Sequence, residues 1–280
     1  MLALLKRNFL LYFRNRSGVF FSLLGALISF VLYIIFLQKN LTDAWVQLPN
    51  RGPVLNNWLM SGTLAVTGIT TSLAALTQLV KDREHQVDQD LYLSDQGKWR
   101  LAFSYLTSAI IISFSMQILM YVLMCGYFRE VPTLSLLPEV LLIMLLSSLL
   151  SSLVNVIFVY FFQSVDSLGK FSTIVGTASG FLVGTYVPLG VLPNFAQLLM
   201  KCTPATYIAA LYRQVLMKEA LSETFKGQDK LLQEFQEKMG VQLKWQTLLT
   251  KEQTYLIVLG GILLALGIWI SLAKRSSKRK

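Results

Sequence analysis

The sequence predicts an all-α integral membrane protein. It should have six transmembrane helices, an amino-terminal interfacial helix, and a re-entrant outer hairpin between spans five and six. Three observations carry this expectation. First, six runs are almost free of charge: 18–37, 57–80, 102–128, 138–162, 171–191 and 253–273. About 20 apolar residues are enough to cross the hydrocarbon core. Second, only 14% of the 280 residues are charged and 54% are hydrophobic, whereas soluble domains carry roughly 25% charge. Third, the basic residues alternate by side. Lys6, Arg7, Arg14 and Arg16 precede span one; Lys81, Arg83, Lys98 and Arg100 follow span two; Lys170 lies between spans four and five; and Lys274, Arg275, Lys278, Arg279 and Lys280 follow span six. The opposite short loops hold only Lys39, Arg51 and Arg129. The positive-inside rule then puts both termini in the cytoplasm of a multi-pass protein of the cell membrane. The net charge of +10 is thereby assigned to orientation and contact with anionic membrane lipids, and not to nucleic acid.

Residues 1–16, MLALLKRNFLLYFRNR, form an amphipathic segment. Lys6, Arg7 and Arg14 share one side of a helix, while Leu2, Leu5, Phe9, Tyr12 and Phe13 face away, as in a helix lying in the interface. A signal peptide fits less well, because no small-residue cleavage site follows and five further spans do. The remainder, 17–280, is the transmembrane domain. Trp45 and Trp58 flank the first outer loop, where Pro49 and Pro53 also lie, and fit an aromatic belt.

Span two carries Thr63, Thr67, Thr70 and Thr77 near one face. Helix packing through hydroxyls and the lining of a path both explain such a stripe. Residues 81–100, KDREHQVDQDLYLSDQGKWR, are the densest charged stretch within the body of the chain and hold its single histidine, His85. Val87, Leu91 and Tyr92 or Leu93 are apolar anchors there, which points to a partner protein. A tight turn, Arg129–Glu130–Val131–Pro132, leads into span four. That span has a seam of Ser147, Ser148, Ser151, Ser152 and Asn155, expected to serve packing, and Glu139 at its start should favour the positive end of the helix dipole.

Phe171–Tyr207 then reads as a span with small residues at every fourth position (Ser172, Gly176, Gly180, Gly184), followed by pieces separated by Pro188, Pro193 and Pro204. Pieces too short to cross suggest a hairpin dipping back. Residues 192–252 comprise this hairpin and an outer segment; from Ile208 to Lys251 the chain turns hydrophilic, with two or so short helices broken at Gly227 and Gly240. Cys125 and Cys202 both fall near the outer face; two free thiols are expected, with a disulfide left open.

Several chemistries lack their residues. A phosphate-cradling glycine loop before Lys-Ser/Thr is absent, so the chain should not hydrolyse ATP alone. His85 has no CxxC neighbour for a metal. Ser179, beside Gly180, has no base within reach. The span centres hold no ionisable residue to couple to an ion gradient. Energy must come from elsewhere, and 81–100 is the place to receive it.

With these features the chain resembles the permease subunit of type-2 ATP-binding-cassette exporters. The resemblance covers the whole order of elements and rests most on Pro188–Leu189–Gly190–Val191–Leu192–Pro193 followed by Pro204–Ala205–Thr206–Tyr207. It implies a partner ATPase that binds the ATP and magnesium, no cofactor on this chain, and a second permease subunit, the same or a related chain. It implies that Arg83, Glu84, Val87, Leu91, Tyr92 and Leu93 meet the ATPase. Gln86–Val87 stands where the family carries Gly-Thr, and Asp95–Gln96 near its proline. It further implies a path between spans two and five, with Thr63, Thr67, Thr70, Gly176, Gly180 and Gly184 lining or closing it, and Pro188, Leu192, Pro193 and Pro204 as an outer gate. The expected function is ATP-driven export of an amphipathic or apolar substrate (drug, antimicrobial peptide, lipid or lipid-linked molecule) by alternating access. A membrane scaffold or sensor subunit is the alternative.

Overall fold

The structure is a computed structural model that describes residues 1–39, 43, 51–93, 97–129 and 134–278. Trp45 and Pro49 of the expected belt, the turn residues Glu130–Pro132, Asp95–Gln96, and Arg279 and Lys280 lie outside the described residues. All regular structure described is helical: α1 Leu2–Arg14, α2 Arg16–Leu32 with a π-helical turn at Tyr33–Leu37, α3 Arg51–Glu84, α4 Val87–Leu93, α5 Gly97–Phe128, α6 Leu137–Val159, α7 Val165–Leu182, α8 Asn194–Lys201, α9 Pro204–Leu216, α10 Lys218–Thr224, α11 Asp229–Lys238 and α12 Lys251–Lys278. Among the described residues, five helices are long and apolar enough to cross a membrane: those at Arg16–Phe36, Gly52–Glu84, Trp99–Phe128, Leu137–Val159 and Lys251–Lys274. The protein is therefore a multi-pass membrane protein.

Helix α3 is the axis of the bundle. It packs against α2, α5, α6, α7 and α9. Its hydroxyls make this burial tolerable. Thr67 donates to the Thr63 carbonyl at 2.8 Å, Thr71 to that of Thr67 at 2.6 Å and Ser72 to that of Gly68 at 2.7 Å. Each therefore satisfies itself on its own helix, as Ser and Thr do when no water is near. Neighbouring helices are then pinned by a few cross-helix bonds. Asn155 of α6 donates to the Ile69 carbonyl at 2.9 Å, and Ser113 of α5 to that of Gly68 at 3.1 Å. Gln117 of α5 joins Ser148 of α6 at 2.8 Å and accepts from Tyr212 of α9 at 2.7 Å. The serine seam of α6 is thus a packing seam.

The two ends of the bundle differ. At the end holding α1 and α4, Leu4, Leu76, Val80, Tyr105 and Trp269 form one core. At the other end, α10 and α11 cover α3 through Trp58, Leu221, Phe225, Phe235 and Met239. The Trp58 indole donates to the Met239 carbonyl at 2.7 Å. Gly227 (φ +75°) and Gly240 (φ +66°) follow these two helices in the left-handed region, which L-residues other than Gly enter at a cost. Glu139, in the first turn of α6, accepts from Lys251 at 2.8 Å and Tyr255 at 3.3 Å. It ties α6 to α12 as well as sitting at a helix start.

Two expectations are corrected. The helix expected at 171–191 stops at Leu182. Gly184 takes φ +71°, the Thr185 amide bonds back to Gly180 O at 2.9 Å and the Gly184 amide to Phe181 O at 2.9 Å. These paired 6→1 and 5→2 bonds with glycine at C′ are a Schellman stop. The first turns of α7 are also polar, with Asp166 and Lys170 paired at 2.6 Å. Its apolar part, Phe171–Leu182, reaches only about 18 Å at 1.5 Å per residue, short of the ~30 Å hydrocarbon core. The second correction is α9. Ile208–Leu216 was expected in a hydrophilic outer segment, yet Ile208, Ala209, Ala210, Leu211, Tyr212 and Val215 are buried against α3, α6 and α12. Pro204 stands at its first turn, where a missing N–H costs nothing.

The polar residue that should have kept α9 outside is Arg213, which is 1% exposed. It donates to the carbonyls of Val183 at 3.1 Å, Gly184 at 2.9 Å and Gly240 at 3.1 Å. Its guanidinium also lies 5.1 Å from the Trp58 ring centroid. Replacing it by Met strands three buried carbonyls, so Arg213→Met should destabilise the protein by on the order of 3 kcal/mol, read as a lower thermal-unfolding midpoint in detergent. A midpoint equal to that of the unaltered chain would show that the clamp is idle.

Candidate functional site

Two regions hold the residues singled out in the sequence. The first is the loop after α3. Here the chain binds itself more than expected. Arg83 donates to the carbonyls of Phe162 at 2.8 Å and Tyr160 at 3.3 Å, and its guanidinium lies 5.6 Å from the Tyr160 ring centroid. Those carbonyls follow the carboxyl end of α6, where a cation is favoured. Glu84 accepts from the Val165 amide at 2.9 Å and so caps the amino end of α7, the mirror of the same rule. Arg83 and Glu84 therefore staple the α6–α7 turn to α3. Val87 is half-buried, and Leu91 packs on the core of this end; Tyr92 and Leu93 close α4. The surface that α4 and its approach leave open is formed by His85, Gln86, Gln89 and Asp90, all exposed. Sequence reasoning passed over Gln89 and Asp90 because alternation of charge gave no sign of which face would be free.

Gln86 has φ +60°. A glycine is the residue that such a turn favours, and glutamine there holds strain of about 1–2 kcal/mol.

Beneath this loop sits a partly buried ion pair. Asp82, 3% exposed, takes both guanidinium nitrogens of Arg7 at 2.7 and 2.8 Å, the Gln78 amide at 2.7 Å, and the Tyr105 hydroxyl. The hydrogen bonds that Arg7 donates to Asp82 hold its pKa above the ordinary value against the opposing effect of burial. Arg7 was expected on the solvated face with Lys6 and Arg14; a fork–fork pair turns it inward instead. Helix α1 is thereby fixed to α3 and α5, with Asn8 donating to Ser108 at 3.4 Å.

The second region surrounds α7, which separates two grooves. One, of about 650 Å³, lies between α2, α3 and α7 and is lined by Gly25, Thr70, Thr77, Gly176, Thr177 and Tyr186 among others. The other, of about 440 Å³, lies between α6, α7 and the start of α9, against Ile69, Asn155, Ala178 and Pro204. Of the six expected path residues, Thr70 and Gly176 reach the first groove. Thr63 and Thr67 are wholly buried in the packed interior. Gly180 and Gly184 are packed too. A Cβ on Gly180 would lie 2.2 Å from the Tyr186 ring, and one on Gly184 would lie 2.9 Å from Met200 Cε. Gly62 and Gly68 of α3 have equally close neighbours, Thr185 Oγ1 at 2.3 Å and Ser147 Oγ at 2.6 Å from a built Cβ. Small residues thus set close approaches of α3 to the turn after α7 and to α6.

Of the expected gate residues, Pro188 is buried, Leu192 is half-buried, and Pro193 and Pro204 are exposed. They precede the 3₁₀ turn Leu189–Val191, α8 and α9 in turn, so each proline punctuates the start of an element. Cys125 and Cys202 form no disulfide among the described residues. No group of three or more metal-binding side chains occurs among the described residues.

The family model described as ABC-2 type transporter matches residues 1–217, which end one residue past α9. No curated protein matches the chain.

The Asp82 pair generates a prediction. Asp82→Asn removes the charge that holds Arg7 inside, and α1 should loosen. Hydrogen exchange over residues 2–14 should quicken at least tenfold while that of α6 is unchanged. Equal protection of α1 in both proteins would contradict the pairing.

Proposed function

Because this chain belongs to the ABC-2 type transporter family, as its membrane permease part, we propose that it is the transmembrane half of an ATP-driven exporter of amphipathic or apolar molecules. It works with separate ATPase subunits and a second permease chain, with both termini in the cytoplasm. In this reading the fifth crossing is completed by α7 together with the turn after it, and α8–α9 are the re-entrant element, whose irregular backbone is tolerated because protein covers it.

The observation that supports the reading most is the position of α7. It is short, rich in glycine and hydroxyls, and stands between two grooves, with its ends tied to different machinery. Glu84 and Arg83 link its start to the loop next to α4. Arg213 and Thr206 hold its end, Thr206 donating to the Leu182 carbonyl at 2.9 Å. A push on α4 therefore reaches α7 directly through Glu84, while the Arg7–Asp82 pair carries it from α3 to α1. The ATPase docks on the exposed residues His85, Gln89 and Asp90, while Arg83 and Glu84 transmit the load inside the chain.

Two experiments test this. Co-expression with the ATPase should give a complex, and the double variant Gln89→Arg/Asp90→Arg should lower recovery of the ATPase at least tenfold without changing the thermal midpoint of the permease. Absence of any ATPase from the purified chain would leave a scaffold or sensor as the reading. Separately, Gly180→Leu must displace Tyr186. It should abolish substrate-stimulated ATP turnover in the reconstituted complex while ATPase recovery stays intact; full stimulation in that variant removes α7 from the moving parts.

A further inference from the structure

Most of the hydroxyls along the groove between α2, α3 and α7 are already donated, Ser172 and Tyr186 being the exceptions. Thr70 donates to the Val66 carbonyl at 3.2 Å, Thr77 to that of Leu73 at 3.3 Å, Thr173 to that of Gly169 at 3.1 Å and Thr177 to that of Thr173 at 3.0 Å. Ser22 likewise bonds to the Val19 carbonyl at 2.7 Å and to the Tyr12 hydroxyl at 2.7 Å. Their protons are spent on helix backbone, so these residues present methyl and methylene surface. Phe21, Leu24 and Ile28 of α2 supply the rest of one wall and are exposed along it. A polar ligand would lose its hydration there for nothing, whereas hydrocarbon loses none.

The groove is also long and one-ended. From Gly18 to Leu32 its α2 wall rises about 21 Å at 1.5 Å per residue, and at the far end the Tyr186 ring, set against Phe181 at 4.8 Å, is part of the lining. At the near end the charges are basic. Arg16 is exposed two residues before the lining residue Gly18, Lys81 is exposed one turn beyond the lining Thr77, and Lys170 adjoins the lining Gly169. Two acids lie at the same end: Asp166, paired with Lys170 at 2.6 Å, and Glu84, bonded to the Val165 amide.

We infer that this groove binds an anionic membrane phospholipid, with one acyl chain between α2, α3 and α7 and its headgroup over Arg16, Lys81 and Lys170. The site concerns the permease chain alone and needs neither an ATPase nor transport, so it stands or falls separately from the function proposed above.

The test uses the full chain in nanodiscs. These contain phosphatidylglycerol or phosphatidylcholine carrying a diazirine in one acyl chain, and the crosslinked peptides are identified by mass spectrometry. Phosphatidylglycerol should label the segments Phe21–Ile28 and Thr70–Thr77, about fivefold above phosphatidylcholine, the preference that one well-placed cation gives at an anionic headgroup. Arg16→Gln with Lys81→Gln alters only exposed side chains. It should bring the two lipids to equal labelling. Ala74→Trp fills the groove and should remove the label from both segments. The inference is overturned if the two lipids label equally in the unaltered chain, if the label on these segments is no denser than on the exposed face of α12, or if α2 and α3 stay unlabelled, as they would with a second copy covering the groove.

Discussion

The architecture turns on one buried cation without an acid beside it. Arg213 is held by carbonyl dipoles of Val183, Gly184 and Gly240 and by the face of Trp58. An isolated charge is costly to bury unless its donors are matched. Here the matching comes from the carboxyl end of α7, where the helix leaves carbonyls unpaired and its dipole is negative. The same contact therefore pairs both terminal guanidinium nitrogens, leaving only the buried Nε without a partner, caps the end of α7, and holds the α10–α11 cap down on α3. Remove the cation and three elements lose a shared fastening.

The second constraint is the burial of α3. A helix enclosed on most sides needs small or self-satisfied side chains wherever neighbours come close. Gly62 and Gly68 meet the first need; Thr67, Thr71 and Ser72 meet the second. This arrangement favours close contact over directional bonding, and the cross-helix bonds that remain are few: Asn155, Ser113, and Gln117 with Tyr212. At the other end the logic is ionic. Asp82 gathers Arg7, Gln78 and Tyr105 into one cluster, so α1, α3 and α5 are fixed where the sequence shows only a charged loop.

Much of the fold was readable from charge-free length alone. The five long spans differ from the expected runs mainly at their ends, because membrane length is a strong and simple signal. What could not be read was the depth of short elements. Pro188, Pro193 and Pro204 marked breaks but not where the pieces go, and the hydrophilic run up to Lys251 made Ile208–Leu216 look outer. A signal was present: apolar residues at 207, 208, 211, 212 and 215 after a proline-started turn describe a buried helix. The candidate site was legible in part. Thr70 and Gly176 do meet in one groove, but periodicity could not separate them from Thr63 and Thr67, which lie on the same face one and two turns further into the packed core. Arg83 and Glu84 were singled out for contact with another protein, whereas the partners seen are a helix end and a helix start of the same chain, 79 and 81 residues away. No local pattern reveals such pairs.

The central claim is that Pro204–Leu216 belongs to the interior and that the chain beyond Met217 returns to water. Cysteine accessibility tests it most directly. In a chain with Cys125 and Cys202 replaced by serine, single cysteines at Ile208, Ala209, Leu211, Lys218, Ser222 and Lys230 are exposed to a membrane-impermeant maleimide added from the outer side. The account predicts no reaction at the first three and ready reaction at the last three. Uniform labelling from 208 to 230 would contradict it.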